Sequence, residues 1–569
     1  GGGRSSVRVG GRGGVGVGTG GEPARGGGGL GGVRGGTAGW AAGGRGGAGG
    51  LGRADARARA EGRLRDGRGE WRVAARRGYL DLVLGITDAS PNLDVRPVYY
   101  DGYAKVSRRL GESHMLTGHA LWAADTMTIV DDEDTVENSY GNGYGWLTWR
   151  ADLGDSTTQR TLVSIGRVTR ERLGIDLAWP QGQMNAEVLE DRTFDLVGIK
   201  QDWLAAPSDT HIVSAGFDVK RHWADYSYAS SRRRQAAIAG EYVTRGSELR
   251  VDGTQMGLYV SDTVALGLDT SAEVGVRYDH ASWSGVGLLA PRVAITRSLG
   301  ANTAARASWG RFSQFQRIAE LRVEDGEEDF QPPERSEHTT LAVEREFADG
   351  LALSIEAYWK RLTDIHPRYI NLDGDVDFFP EIERDRATVS PDRGTAKGVE
   401  VVLTKDVGDA LSWWASYAFA FAEENIDGVT TSRDFDQRHA FALDVSYRPS
   451  RRWSVNAAWQ ARSGRPYTPL VFERPVTARG FGGVRESYGA VNRARLPPYH
   501  RLDVRAVRTF GGDGGRLAVY AEVRNLYDRD NVRRYDVDAW AGRDGDIVVT
   551  KTPITWLPIL PSVGLRWDF

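Results

Sequence analysis

Apolar and polar side chains alternate with a period of two along most of the chain after residue 78. Near the C-terminus, Val563, Leu565 and Trp567 alternate with small or polar residues, and residues 351–360 show the same pattern. Strict alternation over 8–11 residues predicts β-strands with one apolar and one polar face. Strands of ~9–11 residues are long enough to cross a bilayer at a tilt. A large soluble β protein is the alternative, although its strands usually run only ~5–6 residues.

The pattern predicts about 20 strands between residue 79 and the C-terminus. They lie near 79–85, 98–109, 114–125, 141–152, 159–170, 195–203, 211–221, 256–264, 271–280, 291–298, 302–313, 338–347, 351–361, 396–405, 411–422, 438–447, 453–462, 500–509, 516–527 and 562–569.

The connections between these predicted strands alternate between short and long. Residues 110–113 and 153–158 are short connections, for example, whereas 126–140 and 171–194 are long ones. In an up-and-down barrel every second connection emerges on the same rim, and outer-membrane barrels have short periplasmic turns and long extracellular loops. The sequence therefore predicts an all-β fold, a transmembrane antiparallel β-barrel in the outer membrane of a Gram-negative bacterium.

The N-terminal segment has a different composition. Residues 1–70 contain 30 of the 73 glycines and 12 arginines, with neither helical nor strand periodicity. Such a composition cannot bury a core and is typical of disorder. We divide the chain into a Gly/Arg-rich low-complexity segment over 1–77, disordered or read out of frame, and a barrel over 78–569.

Composition narrows the chemistry. The chain has no cysteine, which excludes disulfides, thiol nucleophiles and Cys-ligated metal centres. A net charge of -3 gives no case for nucleic-acid binding. The sequence indicates no catalytic residue, no cofactor and no metal ligand, and we expect no enzymatic activity. The acidic runs 131–134 and 324–329 are either calcium-binding clusters or solvated loop tips.

Several late segments resemble the barrel of TonB-dependent outer-membrane receptors. In order, they are WGRFSQFQRIAEL (309–321), TAKGVEVVL (395–403), FDQRHAFALDVSY (435–447), SGRPYTP (463–469), LPPYHRLDVR (496–505), AEVRNLYDRDNV (521–532) and the terminal GLRWDF. The resemblance implies a barrel of 22 strands around a plug domain, and energised import of a scarce nutrient such as a siderophore, cobalamin or a carbohydrate. It implies a TonB-type energy-transducing complex, the outer-membrane assembly machinery, a small-molecule cargo and the lipid bilayer as partners.

The chain departs from the family pattern at its start. We recognise no signal peptide, no TonB box and no plug, and the Gly/Arg-rich segment stands where the end of the plug and two strands are expected. Two alternatives to the gated receptor therefore stay open: an ungated passive pore, and a barrel that only binds ligands at the surface.

Two loops and the C-terminus supply candidate functional residues. Exposed aromatic rings beside charges suit planar or anionic ligands, and the alternative is that the loops pack on each other. The terminal aromatic residues lie on the predicted lipid-facing side and resemble the signal read by the assembly machinery. The loop candidates are Tyr369, Phe378, Phe379, Tyr467, Phe472, Phe481 and Tyr488, and the assembly signal is Trp567 with Phe569.

Overall fold

The computed structural model describes most of the chain from residue 46 onwards. The described ranges are 46–52, 55–81, 94–130, 134–176, 186–233, 242–372, 379–383, 385–474, 476–477, 480–481, 484–512, 515–542 and 546–569.

Twenty-two antiparallel strands, numbered β1–β22 in chain order, form the wall of the main sheet. They are Gly46–Leu51, Asp55–Arg63, Gly69–Gly78, Asp94–Leu110, His114–Val130, Asp134–Asp152, Thr157–Asp176, Ala186–Ser208, His211–Arg233, Tyr242–Ala265, Thr270–Ala281, Val286–Ser298, Thr303–Gln314, Glu334–Glu346, Leu351–Thr363, Arg393–Val407, Leu411–Ile426, His439–Ser450, Trp453–Arg462, Tyr499–Gly512, Gly515–Arg524 and Leu560–Asp568.

The sheet closes into a barrel because its first and last strands pair. In β1 and β22, Ala48 lies opposite Asp568 and Leu51 opposite Leu565. The Gly47 and Phe569 backbones exchange two hydrogen bonds of 2.8 and 2.9 Å at the end of this seam. A closed barrel leaves no unpaired strand edge, which is the condition for crossing lipid with strands. The predicted antiparallel barrel is confirmed, with 22 strands in place of the 20 found by pattern.

The barrel begins earlier than the sequence predicted. Strands β1–β3 lie within 46–78, in the segment assigned to disorder. The predicted strand 79–85 is wrong at its start, because β3 already ends at Gly78 and residues 79–81 form no strand; residues 82–85 lie outside the described residues. In β2, alanine and glycine alternate with arginine and glutamate. This alternation contains no large apolar residue, so a search for such residues passes over it. Residues 1–45, and with them the rest of the low-complexity segment, lie outside the described residues.

The two faces of the barrel differ in polarity. Large apolar side chains such as Val519, Leu565 and Trp567 stay exposed on the outer face, where lipid covers them in a membrane. Charged residues occupy the alternating inner positions, for example Glu522 on β21 and Arg505 opposite it on β20. The inner surface is therefore a polar lumen.

One sector of the wall is much taller than the rest. Strands β7–β10 contain 20, 23, 23 and 24 residues, about twice the length needed to cross a bilayer. They extend beyond the rim that carries the long connections, which we call the long-loop rim; the opposite rim has short turns such as 111–113. The tall sector forms one side of the barrel mouth.

The long connections contain short elements of their own. None of the described helices has the length and hydropathy of a membrane span. The loop elements are the 3-10 turns Val323–Asp325 and Pro380–Ile382 and the strands Arg368–Asn371, Arg386–Val389, Val429–Ser432, Pro466–Tyr467, Leu470–Glu473, Val476–Thr477, Gly480–Phe481, Arg485–Tyr488, Ala494–Arg495, Val532–Ala541 and Ile547–Thr555.

Candidate functional site

The mouth of the barrel contains a compact core between the tall wall and two inward-folded loop segments. The segments are residues 315–333, between β13 and β14, and residues 379–389, between β15 and β16. Their apolar side chains pack on the inner faces of β8 and β9. The buried members are Val188, Ala224, Tyr226, Tyr228, Ile318, Leu321, Val323 and Phe379.

Directional hydrogen bonds fix segment 315–333 to the wall. The Tyr226 hydroxyl donates to the Ile318 carbonyl at 2.7 Å and accepts from the Leu321 amide at 3.2 Å. The Trp283 indole donates to the Gln316 carbonyl at 2.9 Å. Because these bonds are made to loop backbone, they set the height of the segment in the mouth.

A buried network of ion pairs joins both segments to the same wall. Arg172 of β7 pairs with Glu190 of β8 and with Glu381, the latter at 2.8 Å, and Arg192 pairs with Glu190 and with Glu324. The Glu190 side chain is 0% exposed and that of Arg172 4%, so these charges depend on one another rather than on water.

The environment of Glu324 shifts its titration. Burial alone would raise the pKa of Glu324, but the Arg192 charge, a backbone hydrogen bond and the Arg172 charge outweigh burial and hold the pKa below its ordinary value. The carboxylate therefore remains charged under the loop at neutral pH.

A second buried carboxylate, Asp436, joins the connection after β17 to the connection after β19. The Asp436 carboxylate, 1% exposed, accepts hydrogen bonds from the Ala422 amide at 2.7 Å and from Arg438 at 2.9 Å, and also pairs with Arg495. Burial raises the pKa of Asp436, but these donors more than offset it and the net pKa is lowered. Arg495, in the connection between β19 and β20, is thereby joined to the end of β17 at the long-loop rim.

Among the predicted ligand residues, Tyr369 lies in the most strongly charged setting. Its ring stands beside two guanidinium groups, with the Arg322 and Arg386 carbons 5.8 and 5.7 Å from the ring centroid. Arg386 in turn donates to Asp325 at 2.9 Å. Partial burial, then the Glu327 and Asp325 carboxylates, raise the pKa of Tyr369. The half-buried ring can stack on a planar ligand while its hydroxyl stays protonated.

Phe379 has a structural position instead. It is 8% exposed and lies in the core, where the Arg172 guanidinium stands 5.5 Å from its ring centroid. A Cβ on Gly174 would come within 2.1 Å of this ring, so glycine is needed there. For this residue the packing alternative holds.

The remaining loop candidates are spread along a separate connection. Tyr467 has its ring centroid 5.9 Å from that of Tyr535, and Phe472 and Tyr488 are half-buried on a small hairpin. Phe481 lies on the two-residue strand Gly480–Phe481, and its side chain, like all of Phe378, falls outside the described residues.

The residues that hold the mouth together could not be identified from the sequence alone. Arg172, Glu190 and Arg192 are inner-face residues of long strands, and their alternation alone does not separate them from any other lumen-facing charge. Only the register, which places Arg172 opposite Glu190, brings them together.

The acidic run 324–329 forms ion pairs rather than a cation cage. Glu324 and Asp325 pair with arginines, and among the described residues no group of three or more histidine, aspartate or glutamate side chains is arranged to hold a metal ion. Residues 131–133 of the other run lie outside the described residues.

The terminal aromatic residues lie at the barrel seam on the outer face. Trp567 is 54% and Phe569 62% exposed, and their ring centroids are 5.0 Å apart. Their position agrees with the predicted lipid-facing side, while their role in assembly stays a prediction.

Comparisons with known proteins agree with this architecture. No curated protein sequence matches the chain. Among solved structures, the ferric-catecholate import receptor Fiu from E. coli K12 has 13% identity and a TM-score of 0.63, over 92% of this chain and 81% of that one. The copper transporter OprC has 13% identity and a TM-score of 0.63, over 92% and 79%. FpvA of P. aeruginosa, bound to an iron–pyoverdine complex, has 12% identity and a TM-score of 0.60, over 92% and 71%.

The match to a protein family covers most of the sequence. The family described as "TonB dependent receptor-like, beta-barrel" matches residues 9–526. That range contains all but the last of the 22 strands, and it agrees with the closed barrel and the polar lumen described above. The chain belongs to the TonB-dependent receptor β-barrel family.

Proposed function

We propose that this protein is a receptor for energised uptake of a scarce nutrient across the outer membrane. The main support for this proposal is a closed 22-strand barrel whose extracellular mouth is narrowed by two loop segments fixed to the inner wall. Family membership supports a TonB-type complex as the energy source and a small molecule as cargo. The iron and copper cargoes named for Fiu, FpvA and OprC support a metal complex as that cargo.

In this proposal the cargo first meets the Tyr369 surface. Tyr369 offers a half-buried ring flanked by Arg322 and Arg386, and an aromatic ring beside positive charge suits a planar, anionic cargo. Tyr467, Phe472, Phe481 and Tyr488 are candidates for a second contact on the neighbouring loop. Phe379 is not, because it supports the core.

Uptake in a receptor-deficient Gram-negative host tests the proposal. Cells that express the receptor gene are given radioiron-labelled ferric catecholate or ferripyoverdine, or radiolabelled cobalamin, with and without a proton uncoupler. We expect accumulation of one probe that stops with the uncoupler and falls at least tenfold in Tyr369→Ala. Accumulation that is indifferent to the uncoupler contradicts energised uptake.

An ungated pore is the second candidate function. Inner-face charges such as Arg59 and Glu356 are exposed to the lumen, which favours passage of water and ions. Conductance of the purified chain in planar bilayers separates the two: large, steady currents support the pore, and their absence from inserted protein supports the gated receptor.

A further inference from the structure

The short turn between β18 and β19 concentrates positive charge at one point of the short-turn rim. Arg448 lies near the end of β18, and Arg451 and Arg452 form the turn itself, in the sequence RPSRR. All three residues are exposed, and their side chains make no hydrogen bond or ion pair with any described residue. The turn therefore presents three free guanidinium groups to its surroundings.

The other described short turns carry much less positive charge. The turn 64–68 has two arginines, but Asp66 lies between them and pairs with Arg108 at 2.9 Å. The turn 299–302 has no charged residue. Each of the remaining described short turns has one acidic residue and no arginine; these acidic residues are Glu112, Asp155, Asp209, Asp269, Asp349 and Asp409.

A fourth arginine and three aromatic rings lie beside this turn on the outer face. Arg508 of β20 is opposite Trp453, and its guanidinium carbon stands 5.3 Å from the Trp453 ring centroid and 4.7 Å from that of Phe510. Tyr447 of β18 is also exposed there. Tryptophan and tyrosine are enriched where lipid headgroups meet the hydrocarbon, so this turn lies at headgroup level. The rim arginine cluster comprises Arg448, Arg451, Arg452 and Arg508.

We propose that the rim arginine cluster binds the phosphate headgroup of an anionic phospholipid in the leaflet at the short-turn rim. Guanidinium forks form paired hydrogen bonds with phosphate oxygens, and basic clusters beside a membrane attract anionic lipids. The adjoining connections contain one aspartate each, Asp409 and Asp513, which leaves the four arginines with a surplus of positive charge. The rings of Trp453 and Phe510 offer an apolar surface to the upper acyl chain of the same lipid.

This lipid site goes beyond the proposed uptake function. It requires only that the chain spans a phospholipid bilayer, and it involves neither the cargo nor the loops at the opposite rim. A lipid held at one turn fixes the height of β18–β20 relative to the headgroups.

Native mass spectrometry of the purified full chain, refolded in a non-ionic detergent, measures lipid binding directly. Phosphatidylglycerol is the anionic probe, and phosphatidylcholine with the same acyl chains is the zwitterionic comparison. We expect the Kd for phosphatidylglycerol to be at least tenfold lower than that for phosphatidylcholine. The difference should shrink in 1 M ammonium acetate, where the screening length is about 3 Å.

Charge removal at two turns supplies the matched variants. Arg451→Gln with Arg452→Gln should weaken phosphatidylglycerol binding at least fivefold and leave phosphatidylcholine binding unchanged. Arg65→Gln with Arg68→Gln removes the same charge from the other arginine-containing turn and should change either affinity by less than twofold. All four positions are exposed, so we expect each variant to give the folded, heat-modifiable species on a gel. Arg508→Gln, which leaves the turn intact, should weaken phosphatidylglycerol binding at least twofold.

Three results would overturn the proposal. They are equal affinity of the parent for the two lipids, undiminished phosphatidylglycerol binding after loss of Arg451 and Arg452, and equal weakening by both double variants. Because no cargo enters the measurement, its failure leaves the proposed uptake function untouched, and failure of uptake leaves the lipid site untouched.

Discussion

At the scale of single residues, Glu190 lies at the centre of the ion-pair network in the mouth of the barrel. It pairs with both Arg172 and Arg192 in a site closed to water. Removing one partner of a buried ion pair costs roughly 3–5 kcal/mol, because the remaining charges stay buried. Most of that cost should fall on the docked segments rather than on the strands beneath them.

Glu190→Gln therefore loosens segment 315–333 at neutral pH. Leu321, 0% exposed, serves as the reporter in a Leu321→Cys background. We expect thiol labelling of Cys at this position to rise at least tenfold with Glu190→Gln. Glu171→Gln, an exposed glutamate on the neighbouring strand, is the control and leaves labelling unchanged. Equal labelling in both variants contradicts a role for the ion network in docking.

Glu324 makes docking sensitive to acid. Its folded pKa is lowered, while an unfolded glutamate titrates near about 4.3. The stabilisation by Glu324 is therefore complete above that value and is lost as pH falls through the lowered folded pKa. Hydrogen exchange of residues 315–333, corrected for intrinsic rates, should accelerate below about pH 4. Exchange of the Glu324→Gln variant should be fast and nearly independent of pH, and a pH profile like that of the parent would refute this assignment.

At the scale of elements, alternation with large apolar residues predicted nineteen strands correctly. Strand β2 was not predicted, because its outward positions are Ala56, Ala58 and Ala60, whose small side chains give almost no hydrophobic signal. The mouth was predictable only in part. Tyr369 and Phe379 are both aromatic residues on one loop, and the sequence cannot tell which of them meets Gly174 in the core, since that contact depends on tertiary register.

At the end of the seam between β1 and β22, Gly47 lies directly against the Phe569 ring. A Cβ on Gly47 would lie 2.5 Å from the Phe569 ring, whereas one on Gly49 would meet nothing closer than 4.0 Å. Gly47→Val should therefore reduce the folded, heat-modifiable species on a gel several-fold, and Gly49→Val should leave it near the parent level. Equal yields of the two variants would show that the ring does not need this space.

The last residue is also a candidate assembly signal. Phe569 is exposed and paired through its backbone with Gly47, so its ring is accessible on the outer face while its backbone completes the seam. Phe569→Ala keeps the backbone pair and removes the ring. We expect a lower yield of assembled barrel in cells but unchanged refolding of purified protein in detergent. Normal assembly in cells would argue against a signal at this position.

At the scale of the whole molecule, the short seam decides whether there is a barrel at all. β1 has only 6 residues, compared with 23 in β9, yet it joins the ends of the sheet. The narrowed mouth and the proposed uptake both require that closure. Residues 46–51 are thus as important as any loop residue, although their sequence, GGAGGL, shows none of the usual strand signals.

Disulfide trapping at the seam tests this closure most directly. Ala48 lies opposite Asp568, and because the adjacent Gly47–Phe569 pair is hydrogen-bonded, this pair is the non-bonded, closer type. In membranes of cells that express the double variant Ala48→Cys with Asp568→Cys, we expect rapid intramolecular crosslinking on mild oxidation. The control is Ala48→Cys with Leu565→Cys, in which the thiols face opposite sides of the wall. Crosslinking of the first pair alone is the predicted result; no crosslink, or crosslinks only between separate chains, would mean that β1 does not close the barrel.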